Sequence, residues 1–351
     1  MSTSVLADID RLRAPFEARG PLSASLLETL AASPADGAPH LAALTEDVLT
    51  GIADPLRDDD VQLTLFLLYA GHYGSLSFID PAWEWSTDLI AARAALERRF
   101  EDTLRRDIQV PHLPPADAES VAAALFAMTS PVPGPSLSRH VAKKATADQL
   151  REFLIHRSVY TLREADPHSW AIPRLTGGAK AALVEIQSDE YGAGDLPRMH
   201  AEIFARTLRG AGLDDAYGRY IDSVPALTLA SMNLMSMFGL NRRLLGAVVG
   251  HLAAFEMTSS LPNRLYGDGF RRLGFGPDVT RYFDEHVEAD AVHEQIAGRD
   301  LAGGLAEDRP ELLSDIFFGA AACLAVDGWV ADGILAAWQR GASSLRAPAR
   351  G

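Results

Sequence analysis

His286, Asp290 and His293 recur at intervals of four and three residues within Tyr282–Gln295. On an α-helix, such residues fall on one face of adjacent turns. Two imidazoles and a carboxylate in that arrangement are donors for iron, manganese or zinc. A helix that turns such a face inward needs other inward-facing helices to complete the site, which points to a bundle. The same stretch also carries Asp284, Glu285, Glu288 and Glu294. A solvated polar face is therefore the competing reading.

The rest of the chain reads as helix. Ser4–Arg19 and Ser23–Ala32 are short amphipathic stretches punctuated by Ser, Pro and Gly. Asp60–His72 is strongly apolar, with His72 read as a core or capping residue. Thr87–Asp107 places Leu89, Ala92, Leu96, Phe100 and Leu104 on one face. Asp117–Met128 lies between two proline clusters, and the stretch Ile108–Pro135 holds six prolines. We place the domain boundary at the second cluster. An N-terminal helical region of unknown role then spans 1–140, and a second domain spans 141–345. No run alternates with the period of a strand, so the fold class is all-α.

A net charge of −15 argues against general affinity for nucleic acid or anionic membranes. The single cysteine, Cys323, excludes an intramolecular disulfide and a thiolate metal cluster. Any metal must be held by His, Asp and Glu. The N-terminus lacks the apolar core of a signal peptide. No stretch reads as a membrane span, and a soluble cytoplasmic protein is the expectation. A homodimer is compatible with the sequence.

Four further residues stand out. Glu256 sits among Ala253, Ala254, Phe255 and Met257 in an apolar helix spanning Arg242–Ser260. A carboxylate there needs a metal or a salt bridge, for which Arg264 and Arg271 are candidates. Glu164 is placed near the end of a helix running up to Pro167, where the helix dipole disfavours it. Glu190 ends a helix interrupted by Tyr191-Gly-Ala-Gly194, and His200 follows one turn into a helix capped by Asp195. The angle between Glu190 and His200 is open across those glycines. His251 is read as a packed histidine. The methionine-rich stretch Asp215–Met237 is read as core, with an adaptable substrate channel as the alternative.

From about Leu150 to Trp338 the chain resembles the haem-oxygenase-like diiron oxidases and oxygenases, a group of iron-containing redox enzymes. The resemblance is carried by LREADPHSW, DEYGAG with His200 following, GHLAAFEMTSSLPNR and HVEADAVHEQ. It implies a haem-oxygenase-like helical bundle, to which the N-terminal region is an addition. It implies a metal-ligand set of Glu164, Glu190, His200, Glu256, His286, Asp290 and His293. Some members carry a further carboxylate one turn before the second-helix histidine, where this chain has Pro197. The implied cofactors are a pair of iron ions, Fe2+/Fe3+, with O2 as cosubstrate. The implied activity is N-oxygenation, desaturation or oxidative C–C cleavage of a small molecule, in secondary metabolism. Catalytic residues beyond the ligands and substrate-binding residues are not specified by it. The alternatives are a non-catalytic helical scaffold of the same fold and a haem-binding protein, for which His156 would be the proximal ligand.

Overall fold

The computed structural model describes residues 16–346. The chain forms two compact units: residues 16–107 with 220–233, and residues 108–219 with 234–346. The described residues contain helices and no strand, as the sequence predicts.

The first unit holds α1 (Pro21–Ala31), α2 (Pro39–Gly51), α3 (Asp59–Tyr73) and α4 (Thr87–Asp107), with α1 and α4 packed against α3. Every residue of α3 from Asp60 to Ala70 is buried. Asp58 caps its start, and Gly74 ends it in the left-handed region at φ 60°. The buried Asp60 carboxylate accepts from the backbone N–H groups of Leu22 and Ser23, at 2.8 and 2.7 Å. It thereby satisfies the first turn of α1. Most of the expected helix Ser4–Arg19 lies outside the described residues. Its described end, Phe16–Arg19, is not helical.

The second unit carries α5 (Ala118–Met128), α6 (Leu137–Lys143), α7 (Ala147–Thr161) and the single turn α8 (Asp166–Ser169). It continues with α9 (Gly177–Glu190) and α10 (His200–Gly210). α11 (Ala226–Leu240) begins in the first unit and ends in the second. It is shorter than the apolar stretch expected from Asp215. Then follow α12 (Leu245–Met257), α13 (Ser260–Arg272) and α14 (Pro277–Gln295). α14 runs on into a π-helical segment, Ile296–Gly303, then α15 (Gly304–Asp308) and α16 (Leu313–Gln339). A core of Phe153, Leu154, Phe204, Phe270, Tyr282 and Phe283, among others, unites α7, α10, α13 and α14. Tyr282 and Phe204 meet edge to face at 5.0 Å.

α12 and α16 cross on glycines. A Cβ on Gly250 would fall inside the van der Waals sphere of the Ile316 carbonyl oxygen, and one on Gly319 inside that of Ala247. Backbone atoms cannot move aside as a flexible side chain can. Gly250→Ala is therefore expected to destabilise the chain by about 1–3 kcal/mol or more through overpacking. A urea unfolding midpoint that does not fall would show that the crossing has slack.

One expectation is corrected here. The helical stretch Pro310–Gln339 is long and apolar enough to cross a membrane, and the bent pair Arg242–Met257 with Ser260–Arg272 meets the same criterion. The apolar run is broken by Asp315, Asp327 and Asp332, which hid its length in the sequence. Its Ile316, Phe317, Phe318 and Val326 side chains are buried within the second unit. A core helix of a bundle has the same composition.

Candidate metal centre

α9 brings Glu190 inward on a regular stripe. Ala179, Ala182, Leu183, Ile186, Gln187 and Glu190 are its buried residues, at helical spacing. Directly after Glu190 the chain reverses. Gly192, Ala193 and Gly194 are successive left-handed residues at φ 63°, 51° and 84°. Glycine adopts that conformation without the Cβ penalty. Two 3₁₀ turns, Gly192–Gly194 and Leu196–Arg198, then lead into α10. His200 is the first residue of α10, not one turn inside it, and Asp195 caps a 3₁₀ turn without a side-chain bond. His200, Ile203, Phe204, Thr207 and Leu208 form the inward stripe of α10.

α14 repeats the pattern, with Val279, Tyr282, Phe283, His286 and His293 buried along one face. The side chain of Asp290 lies outside the described residues. Glu256 is buried in α12, as its apolar neighbours predict. Glu164 is buried too, but it lies in the turn after α7 ends at Thr161 and not on the helix itself.

These residues converge. Donor atoms of Glu164, Glu190, His200 and His286 lie within 4.8 Å of one another, and so do those of Glu190, Glu256 and His293. Glu190 belongs to both groups. Its Oε2 is 3.0 Å from His200 Nδ1. Both atoms are buried, and beyond this close pairing neither has a hydrogen-bond partner. His293 Nδ1 is likewise orphaned, 3.4 Å from Glu256 Oε2. Buried polar atoms almost always find partners. Three orphans aimed at one space are what a metal-free ligand set would leave. The donors are hard oxygens and imidazole nitrogens, which suit iron or manganese.

The other atoms of these candidate ligands are anchored. His286 Nδ1 donates to the Tyr282 carbonyl at 2.8 Å, which leaves Nε2 facing Glu164 Oε1 at 3.7 Å. The Tyr282 hydroxyl donates to the Glu164 carboxylate, 2.8 Å from Oε2. His293 Nε2 donates to Asp189 Oδ2 at 3.0 Å. Sequence reasoning missed Tyr282 and Asp189 as anchors. Tyr282 was legible as the residue one helical turn before His286. Nothing in the sequence pairs Asp189 with a residue so far along the chain.

The salt-bridge alternative for Glu256 does not hold. Arg271 is bonded to Asp268 and Asp284, and among the described residues no arginine pairs with Glu256. His156 is buried away from this cluster, with Nε2 3.1 Å from the Ser344 hydroxyl. His251 packs as predicted, 3.2 Å from His168 Nε2 and stacked on Phe255.

A family model described as iron-containing redox enzyme matches residues 151–328. The chain belongs to that family. No curated protein matches the chain. The match places the chain in the haem-oxygenase-like superfamily. All seven predicted ligand positions fall inside the matched span.

Electrostatics in this cluster follow from burial and close pairing. Burial alone would push the Glu190 carboxyl up, but His200, His286 and His293 hold it down at about 2. Burial and the neighbouring Glu190 raise Glu164 to about 8. Burial also raises Glu256. Burial opposes charge on His200, yet Glu190 lifts it to about 9. His293 is lifted to about 9 against its burial, first by Glu256 and then by Asp189. Burial and the charge on His200 depress His286 to about 3.

Two spaces adjoin the centre. A void of about 20 Å³ touches Glu164, Glu190, Glu256 and His286, enough for one water-sized molecule. A cleft of about 380 Å³ has Glu164 and Glu190 among its lining, with Tyr191, Leu196, Met199 and Tyr217 on its walls. Its size is that of a small-molecule site.

Proposed function

We propose that the chain is an O2-activating non-haem diiron oxidase or oxygenase, acting in the cytoplasm on a small molecule admitted through the 380 Å³ cleft. The observation that carries this reading is the pair of overlapping donor groups sharing Glu190. Glu164, His200 and His286 would hold one ion, Glu256 and His293 the other, and Glu190 would bridge them. When bound, the irons supply the redox chemistry that activates O2.

The protein's own part is positioning and exclusion of water. Tyr282 steadies Glu164 by hydrogen bonding. Leu252 and Phe255 close the small void beside the carboxylates. Glu164 and Glu190 line the cleft, so a substrate held there would meet the centre at those two side chains. The reaction proposed is N-oxygenation, desaturation or oxidative C–C cleavage of that molecule, in secondary metabolism.

Anaerobic titration with Fe2+ is expected to saturate at about two ions per chain, as a shared-carboxylate site requires. Air is then expected to be consumed by the loaded protein and not by the metal-free form. A wild-type chain that binds no Fe2+ without oxygen would overturn the proposal.

A further inference from the structure

We infer that Asp189 is a positioning residue for the metal centre, holding His293 in the tautomer that offers Nδ1 to a metal ion. The inference rests on the dinuclear reading above and adds an outer residue to it.

Asp189 Oδ2 lies 3.0 Å from His293 Nε2. An ionised carboxylate only accepts, so the proton of that bond belongs to Nε2. When the ring gives up its second proton to bind a metal, the one N–H that remains is held on Nε2 and the lone pair falls on Nδ1. That Nδ1 is the buried atom without a hydrogen-bond partner, 3.4 Å from Glu256 Oε2. With Glu190 and Glu256, His293 forms the second donor group. The bond to Asp189 thus decides which nitrogen of His293 a metal would take.

The other histidine of the same face is arranged the opposite way. His286 gives its Nδ1 proton to the Tyr282 carbonyl and presents Nε2 to the centre. Its orientation is fixed by the backbone of its own helix, which no side-chain substitution removes. His293 depends on a side chain 104 residues earlier in the chain. Asp189 and Glu190 are neighbours at the end of α9, about 100° apart around the helix. Glu190 therefore enters the centre while Asp189 reaches His293 from the rim. The Asp189 side chain is 56 % exposed, so burial does not account for its place beside a histidine that is 1 % exposed.

The test is titration of the full-length protein with Co2+, followed by calorimetry and by visible absorption. Wild type, Asp189→Ala and Asp189→Asn are compared. Removing an outer carboxylate partner of a ligating histidine costs roughly tenfold to a hundredfold in metal affinity. Asp189→Ala is expected to weaken one of the two ions by that factor and to alter the absorption of that ion alone. Asp189→Asn keeps an acceptor oxygen in place and is expected to recover most of the loss. The side chain is largely exposed, so the metal-free melting temperature should stay close to wild type. A purely structural surface pair would do the reverse: a lower metal-free melting temperature with unchanged Co2+ affinity and spectrum, which would overturn the inference. Equal weakening of both ions would overturn it too, since the effect would not run through His293. A wild type that takes up fewer than two ions would instead refute the dinuclear reading itself.

Discussion

Glu190→Gln is expected to strip both metal ions from the chain, whereas Glu256→Gln is expected to remove only one. Glu190 belongs to both donor groups, and Glu256 to one. An amide retains the volume of the carboxylate and loses the anionic oxygen that a hard cation requires. Anaerobic Fe2+ loading should therefore fall from about two ions per chain to nearly none for Glu190→Gln, and to about one for Glu256→Gln. His293→Ala should resemble Glu256→Gln, because the two side chains serve the same ion. Metal-free stability needs separate measurement. Glu190 lies beside His200 and Glu256 beside His293, so each substitution removes a buried carboxylate from beside a histidine, although His293 keeps its bond to Asp189. Removing one partner of a buried pair costs roughly 3–5 kcal/mol. Circular dichroism melts of the metal-free variants show whether a folded protein is being titrated. The assignment fails if folded Glu190→Gln retains both ions. Retention of one ion by Glu190→Gln, with loss of both by Glu256→Gln, would move the shared ligand to Glu256.

Much of this centre is legible in the sequence because burial and helical period are local properties. Glu256 stands out because an apolar helix surrounds it, and the structure buries it. His286 and His293 stand out by spacing, and they continue the buried stripe of Val279, Tyr282 and Phe283. The position of Glu190 relative to His200 is not local. It depends on three successive left-handed residues, and backbone angles there do not follow from propensity. The structure places their carboxylate and ring 3.0 Å apart. The end of α7 is misjudged for a related reason. Leu162 and Arg163 have ordinary helix propensity, yet the chain leaves the helix at Thr161 and carries Glu164 in a turn. Asp189 was invisible because its partner is distant in sequence and the pairing needs tertiary structure. The N-terminal helices were legible as elements, since α3 and α4 begin and end within a residue of expectation. Their role was not, because no side chain in them has the spacing of a site.

Metal binding at neutral pH is expected to release about two to three protons per chain, because ligands must be deprotonated to bind. In the metal-free centre His200 and His293 are held at about 9, and Glu164 at about 8. All three carry their protons at pH 7, whereas Glu190, at about 2, and His286, at about 3, carry none to lose. Apparent affinity for Fe2+ or Co2+ should therefore climb steeply from pH 6 to 8 and level off above about 9. The folded-state values of His200, His293 and Glu164 are all raised above the ordinary values for those groups. The stability contributed by the histidines is complete below their ordinary value of 6.5 and is lost as pH rises through about 9. The Glu164 contribution is complete below its ordinary value of 4.5 and is lost as pH rises through about 8. The metal-free protein should accordingly soften between pH 6.5 and 9, while the loaded protein, whose ligands are already deprotonated, should not. The gap between loaded and metal-free melting temperatures should widen over that window. Calorimetric titration in buffers of different ionisation enthalpy counts the released protons directly. Release of no protons at pH 7, with a constant gap in melting temperature, would mean that His200 and His293 are not the groups that bind the metal.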